Sequence, residues 1–417
     1  MAWWKQKRSF TRAMQKCTFT HLKRLLLLAA LAIPIISPID ALAAGHSHAG
    51  VCSVGASGAH CHAHIVTDDA AHPLASTTFS QGLTPADLHD AYKLPDIPSG
   101  EFSWNGQTLA IVDANDNPNA TADLLAYRKQ FSLPLCPGET IDCLFTKVNQ
   151  KGAATPLPAK SVGWGQEIDL DIELAAATCP SCKILLVEAT SATMTNLGIA
   201  VDAAVSLGAT AVSNSYGGSE FSSEATTNAH YNHPGVAITV SSGDAGYGVE
   251  WPAASPYVTA VGGTTLVKNS KAPRGWSETA WSGAGSGCSR YMPRSIWQSP
   301  IGTCGRRMVA DVSAVADPLS GVAVYDSFGS TSGNNWYVFG GTSVASPIIA
   351  GVYALARAAN NTTITYAEFP YAHASGLFDV VSGRNGTCST SLKPLCTGGT
   401  GYDGPTGLGT PNGLVGF

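Results

Sequence analysis

The chain has 417 residues, 44% of them hydrophobic and only 13% charged, with 44 glycines and 24 prolines. That excludes a disordered polyelectrolyte or a helical bundle and suits one large α/β domain, or two smaller ones, rich in tight turns. Setting aside residues 1–43 leaves 17 basic and 28 acidic residues, a net charge of −11 with no basic stripe, so no nucleic-acid partner is expected.

Residues 1–43 read as a signal peptide. Residues 1–24 carry seven Lys/Arg and no acid, "LLLLAALAIPII" spans 25–36, and "ALAA" (41–44) offers cleavage after Ala43. The apolar run falls short of the roughly 20 residues a bilayer span needs. The mature chain is therefore expected to be secreted (extracellular or periplasmic), with no membrane association after cleavage. Cys17 leaves with the signal, and the other ten cysteines fall into neighbours: Cys52/Cys61, Cys136/Cys143, Cys179/Cys182, Cys288/Cys304 and Cys388/Cys396. Proximity suggests five small disulfide loops. "CPSC" (179–182) also fits a redox motif or half a zinc site, but it has no second CxxC to complete one.

Residues 44–80 are rich in Gly, Ala and Ser and read as a flexible leader or short propeptide, a composition that buries no core of its own. His46, His48, His60, His62 and His64 offer metal binding as the alternative. From 81 to 417 the pattern is globular. Apolar, β-branched runs at 108–114, 183–189, 209–216, 236–244, 257–263 and 321–326 suit buried parallel strands. Helix-like segments at 166–177, 195–208 and 343–360 lie among them. The expectation is an α/β fold with a mostly parallel central sheet, whose sites gather at the carboxyl ends of the strands.

Three stretches carry chemistry. In "WGQEIDLDIELAAA" (164–177) a helix would place Glu167 and Asp171 on one face, and Asp169 and Glu173 on another. Paired carboxyls share a proton in acid, so either pair could accept a serine proton; spacing does not choose between them, and a solvated acidic face is the default. "VSSGDAG" puts Asp244 in a glycine-flanked turn beyond a strand, where a protonated carboxyl could donate to an oxyanion. "FGGTSVASP" sets Ser343 between a glycine turn and a helix, as a nucleophile or merely a cap. No histidine stands in an HGTxV-like setting; His230 and His233 in "NAHYNHPG" are the remaining bases for a neutral-pH hydrolase.

From "GLTPADLHDAYKLP" (82–95) to the C-terminus, the chain resembles the sedolisin family, serine–carboxyl peptidases with a subtilisin-like fold. "AIVDANDNPNATADLLAYRKQF", "WGQEIDLDIE", "SNSYGGSE", "SSGDAGYG", "WPAASPYVTAVGGTTL", "GSGCSRYMPRSIWQ" and "GGTSVASP" carry the resemblance in order. It implies a three-layer α/β/α fold and a secreted endopeptidase working in acid on protein or peptide substrates, expected as a monomer. It assigns Ser343 as nucleophile, Glu167 as general base and then acid, Asp171 as its orienting partner and Asp244 as oxyanion donor, and gives Asp113 no role. "FDVVSGRNG" through "GTGYDGPTGLGTPNG" is similar to the family's calcium loop. This implies one structural calcium on the carboxylates of Asp379 and Asp403 and the carbonyls of Val380, Gly399 and Gly401. Family members usually carry a large folded propeptide, whereas about 40 residues separate Ala43 from the match. A non-catalytic binding protein on the same fold is the rival of a different class, and the intact set of four residues argues against it.

Overall fold

The computed structural model describes residues 46–53, 58–301, 304–330, 333–360 and 366–417, so the signal-peptide reading lies outside the described residues. The expected flexible leader does not hold for the part described. Residues 46–80 contribute β1 (Ser47–Gly50), β2 (His60–Cys61) and β3 (His64–Thr67). β3 pairs with β1 and with Trp336–Gly340, and β2 pairs with Tyr216–Ser219, all antiparallel. A polar segment that cannot build a core can still be ordered by backbone hydrogen bonds to strands that already have one. Cys52 and Cys61 are bridged, as are the other four neighbouring pairs, so Cys179–Cys182 is a disulfide.

The domain proper begins with α1 (Pro85–Tyr92), started by a capping box between Thr84 and Asp87. It continues through β4 (Thr108–Ala114), α2 (Ala120–Gln130), β5 (Phe145–Asn149), α3 (Val162–Thr178), β6 (Lys183–Ala189), α4 (Met194–Ser206) and β7 (Ala211–Asn214). β8 (Tyr216–Ser219), β9 (Ala237–Ser241), β10 (Glu250–Trp251), β11 (Thr259–Lys268) and β12 (Trp276–Ala280) follow. The central sheet runs β12-β11-β9-β7-β4-β6-β5. Every pair in it is parallel except β11/β12. After a hairpin of β13 (Gly287–Pro293) and β14 (Arg306–Val309), β15 (Val312–Val315) pairs parallel with β11. β16 (Val322–Tyr325) and β17 (Trp336–Gly340) complete the four-stranded sheet that holds β3. The chain closes with α5 (Thr342–Asn360), α6 (Glu368–Ala372) and a small ladder of β18 (Leu377–Phe378) with β19 (Thr410–Pro411).

Strand alternation makes the three layers. Leu109 and Ile111 of β4 pack with Ile168, Leu170 and Ile172 of α3 and with Ile348 and Ile349 of α5. Ala110 and Val112, one step out of phase, pack with Leu197, Ala200 and Val201 of α4. The period of two sends successive side chains to opposite faces, each covered by helices. This is the expected α/β fold with a mostly parallel sheet. One expectation about α3 fails: its four acids are not a solvated face. Glu167, Asp169, Asp171 and Glu173 are all fully buried, because α3 is covered by α2, α5 and the sheet.

Candidate active site

β4, α3, the turn after β9 and the start of α5 meet at the carboxyl edge of the sheet. β4 supplies Asp113, α3 supplies Glu167 and Asp171, the turn after β9 supplies Asp244 and α5 supplies Ser343. Asp113, Glu167, Asp171 and Ser343 are fully buried there. Burial, then the neighbouring charge of Asp113, holds both Glu167 and Asp171 well above the ordinary carboxylate range. Neither oxygen of Asp113 has a hydrogen-bond partner among the described residues, and burial raises its pKa as well. Three carboxyls in one dry pocket cannot all ionise, so the cluster retains protons.

The two carboxyl pairs on α3 have different surroundings, which spacing alone did not reveal. The Ser343 hydroxyl lies near enough to Glu167 to favour its ionised form, and Glu167 Oε1 has no other partner. Ser343 Oγ donates to Ser215 O at 3.3 Å. Asp171 accepts from Ser215 Oγ at 2.9 Å. Asp169 and Glu173 face elsewhere: Glu173 accepts from Tyr325 N, and Asp169 clusters with Asp123 and Asp326. Ser215 had no assigned role in the sequence reading, although "SNSYGG" contains it. It binds both sides of the site because the β7–β8 connection runs between α3 and α5.

Asp244 sits at the mouth of the same pocket. Its Oδ1 accepts from Thr342 N at 2.8 Å and from Thr342 Oγ1 at 2.6 Å, while Oδ2 has no hydrogen bond among the described residues and stands 3.4 Å from His64 Nε2. Burial pushes this carboxyl up to about 6, against the opposing pull of His62 and Thr342. Gly341 must be glycine: its φ is +96°, and a Cβ there would lie 1.8 Å from His62 O and 2.6 Å from Asp244 Oδ2. Pro347 lacks the N–H that would bond Ser343 O, and Ser215 Oγ uses that carbonyl at 3.4 Å. His230 and His233 both bond Asp202 of α4, so neither serves Ser343.

The backbone approaching Gly341 belongs to the chain itself. His62 N donates to Ser215 O at 3.2 Å, and Ala63 N donates to Glu167 Oε2 at 3.0 Å. Residues 60–65 thus lie extended between β8 and β17, with the His62 carbonyl toward Gly341 and Asp244 Oδ2 and the Ala63 amide on Glu167. The glycines of β8 leave room: a Cβ on Gly217 would lie 2.8 Å from His62 Cε1.

The C-terminal loop brings Asp379 and Asp403 together across the β18–β19 ladder. Asp379 Oδ2 accepts from Gly401 N, and Asp403 Oδ2 accepts from Gly399 N, both at 2.9 Å. Asp403 is buried, and burial pushes its carboxyl up to about 7, the backbone donors notwithstanding, with Asp379 adding to the rise. Neither forms an ion pair with Lys, Arg or His among the described residues. Two neighbouring carboxylates in a glycine-rich loop are of the oxygen-donor type that a hard divalent ion takes.

Comparison with known proteins bears on the family and the fold. The Subtilase family matches residues 162–373, just over half of the chain. Kumamolisin of Bacillus sp. (strain MN-32) is 30% identical over 371 residues, covering 79% of this chain and 62% of the relative. Sedolisin of Pseudomonas sp. (strain 101) is 35% identical over 206 residues, covering 42% of this chain and 33% of the relative. The chain thus spans less than two thirds of the length of these relatives. The solved structure of Pseudomonas sedolisin, a serine-carboxyl proteinase complexed with two molecules of pseudo-iodotyrostatin, superposes with a TM-score of 0.66 at 27% identity, covering 80% of this chain and 96% of that one. With its subtilisin-like layers and its serine set among buried carboxyls, the chain belongs to the subtilase family, on the sedolisin branch of serine–carboxyl peptidases.

Proposed function

We propose that the mature chain is a secreted, acid-acting serine–carboxyl endopeptidase that cleaves protein or peptide substrates. Ser343 attacks the substrate carbonyl and Glu167 takes its proton. Glu167 then returns that proton to the leaving amine. Asp171 holds the Glu167 proton balance, fixed in turn by Ser215. Asp244, protonated, donates its Oδ2 proton to the tetrahedral oxyanion. The observation that carries this reading is the Ala63 N–H on Glu167 Oε2, which puts an amide nitrogen where the departing amine must collect its proton.

One calcium ion fits the carboxylates of Asp379 and Asp403 with the carbonyls of Val380, Gly399 and Gly401. Its chemistry there is structural, neutralising two adjacent carboxylates and tying down the loop after β18. Five disulfides and the N-terminal sequence support secretion, and the chain is read as a monomer.

Ser343→Ala tests the core of the proposal. It should abolish hydrolysis of an unfolded protein, a loss of several orders of magnitude, while leaving the thermal transition in place. Wild-type hydrolysis by the alanine variant would remove Ser343 as nucleophile.

A further inference from the structure

The segment lying in the cleft carries a cluster that peptide hydrolysis does not use. His60 and His62 are two residues apart in extended chain, so their side chains leave the same face, while Cys61 points away to Cys52. Glu250, at the start of β10, meets them from the body of the domain. His62 Nε2 stands 2.9 Å from Glu250 Oε2, and the rings of His60 and His62 are 5.1 Å apart and nearly perpendicular. One donor atom from each of the three residues falls within 4.8 Å of the others.

We propose that His60, His62 and Glu250 form a zinc site that clamps the N-terminal segment into the substrate cleft. Zinc takes imidazole nitrogens and carboxylate oxygens at about 2.0–2.2 Å in a tetrahedron, which sets its ligands about 3.4 Å apart. The present spacings require only side-chain rotations to reach that. The other nitrogen of His62 is held by Ser241 Oγ at 2.7 Å, an outer contact of the sort that fixes which ring nitrogen faces the metal. Glu250 forms no ion pair with Lys or Arg among the described residues; its partner is His62 itself, whose proton zinc would displace. Glu250 also lines a cavity of about 430 Å³ with Ser219, Glu220, Tyr247 and Arg290, from which water could reach a fourth position. Two imidazoles and one carboxylate select a borderline transition metal over calcium.

Two ligands come from the segment and one from the domain, so the ion binds only when the segment is seated. Zinc therefore stabilises the occluded state by mass action. The blocking effect rests on the peptidase reading given above; the metal site does not.

The full secreted chain carrying Ser343→Ala, which cannot cut itself, is titrated with zinc chloride at pH 7.5 by calorimetry in calcium-containing buffer. One equivalent should bind with micromolar or tighter affinity. Cobalt in its place should give the visible absorption of a tetrahedral site. His60→Ala and Glu250→Gln, each added to Ser343→Ala, should weaken zinc binding at least tenfold. His48→Ala, beside His64 on the neighbouring strand, should not. No binding, or binding lowered by His48→Ala but not by His60→Ala and Glu250→Gln, overturns the proposal. In the chain with Ser343 intact, zinc should slow peptide hydrolysis, and His60→Ala should relieve that. One-site binding lost in both variants, with no hydrolysis under any condition, would sustain the metal site and sink the peptidase reading instead.

Discussion

Asp244→Asn separates a protonated carboxyl from every other reading of the site. Burial moves the Asp244 pKa from 3.8 to about 6, a shift opposing ionisation by about 3 kcal/mol. The groups facing it are Thr342 from α5, His62 and His64 from the N-terminal segment, Glu250 from β10 and Glu167 from α3. Above pH about 6 the protonated fraction drops about tenfold per unit, and the rate on an unfolded protein should drop with it. Asparagine keeps an acceptor for the two Thr342 donors and places an N–H₂ where Oδ2 stood. Its rate should be lower in acid but decline less steeply toward neutrality, whereas Asp244→Ala should lose about 10²–10³. Stability moves in the same direction. The raised folded pKa gives a contribution fully present below pH about 3.8 and lost as pH rises through about 6, and Asp244→Asn should not show that loss. The assay is initial rate and melting temperature from pH 3 to 8 for the three proteins. A wild type most active at pH 8, an alanine variant matching it at pH 4, or an asparagine variant with the wild-type slope would each refute the reasoning.

Glu167→Gln and Asp171→Asn should cost activity heavily, whereas Asp169→Ala and Glu173→Ala should leave turnover per folded molecule near wild type. The latter pair will not be silent, since both acids are fully buried and Glu173 caps Tyr325 N; a stability change of about 1–3 kcal/mol should appear in the melting temperature. Chelation with EDTA should lower the melting temperature, and Asp403→Ala should melt low with or without calcium; an Asp403→Ala protein melting like the parent would remove the ion from the C-terminal loop. Cys52→Ser should free the Cys52–Cys61 loop and make the His62–Ala63 region more sensitive to added protease, by an entropy worth about 2–3 kcal/mol for a loop of this size; unchanged sensitivity would mean that strand pairing alone holds the segment.

The alternation of apolar strands and helices was enough for the parallel sheet, because burial on both faces leaves a continuous hydrophobic signature in β4, β6 and β9. Neighbouring cysteines were enough for the disulfides, since short loops leave few other partners. The order of motifs around Asp113, Glu167, Asp244 and Ser343 pointed to a site, but the choice of Glu167 and Asp171 on α3 came from resemblance and not from spacing. Only the packing separates the pairs: Glu167 and Asp171 face Ser343 and Ser215, and Asp169 and Glu173 face α2 and the β16 edge, although the helix buries all four. The N-terminal segment marks the other limit. Its composition says that it cannot make a core, and that is true, but order there comes from backbone hydrogen bonds to β8 and β17. Those bonds are written in the partner strands, far away in the sequence, so tertiary structure alone places His62 and Ala63 across the serine.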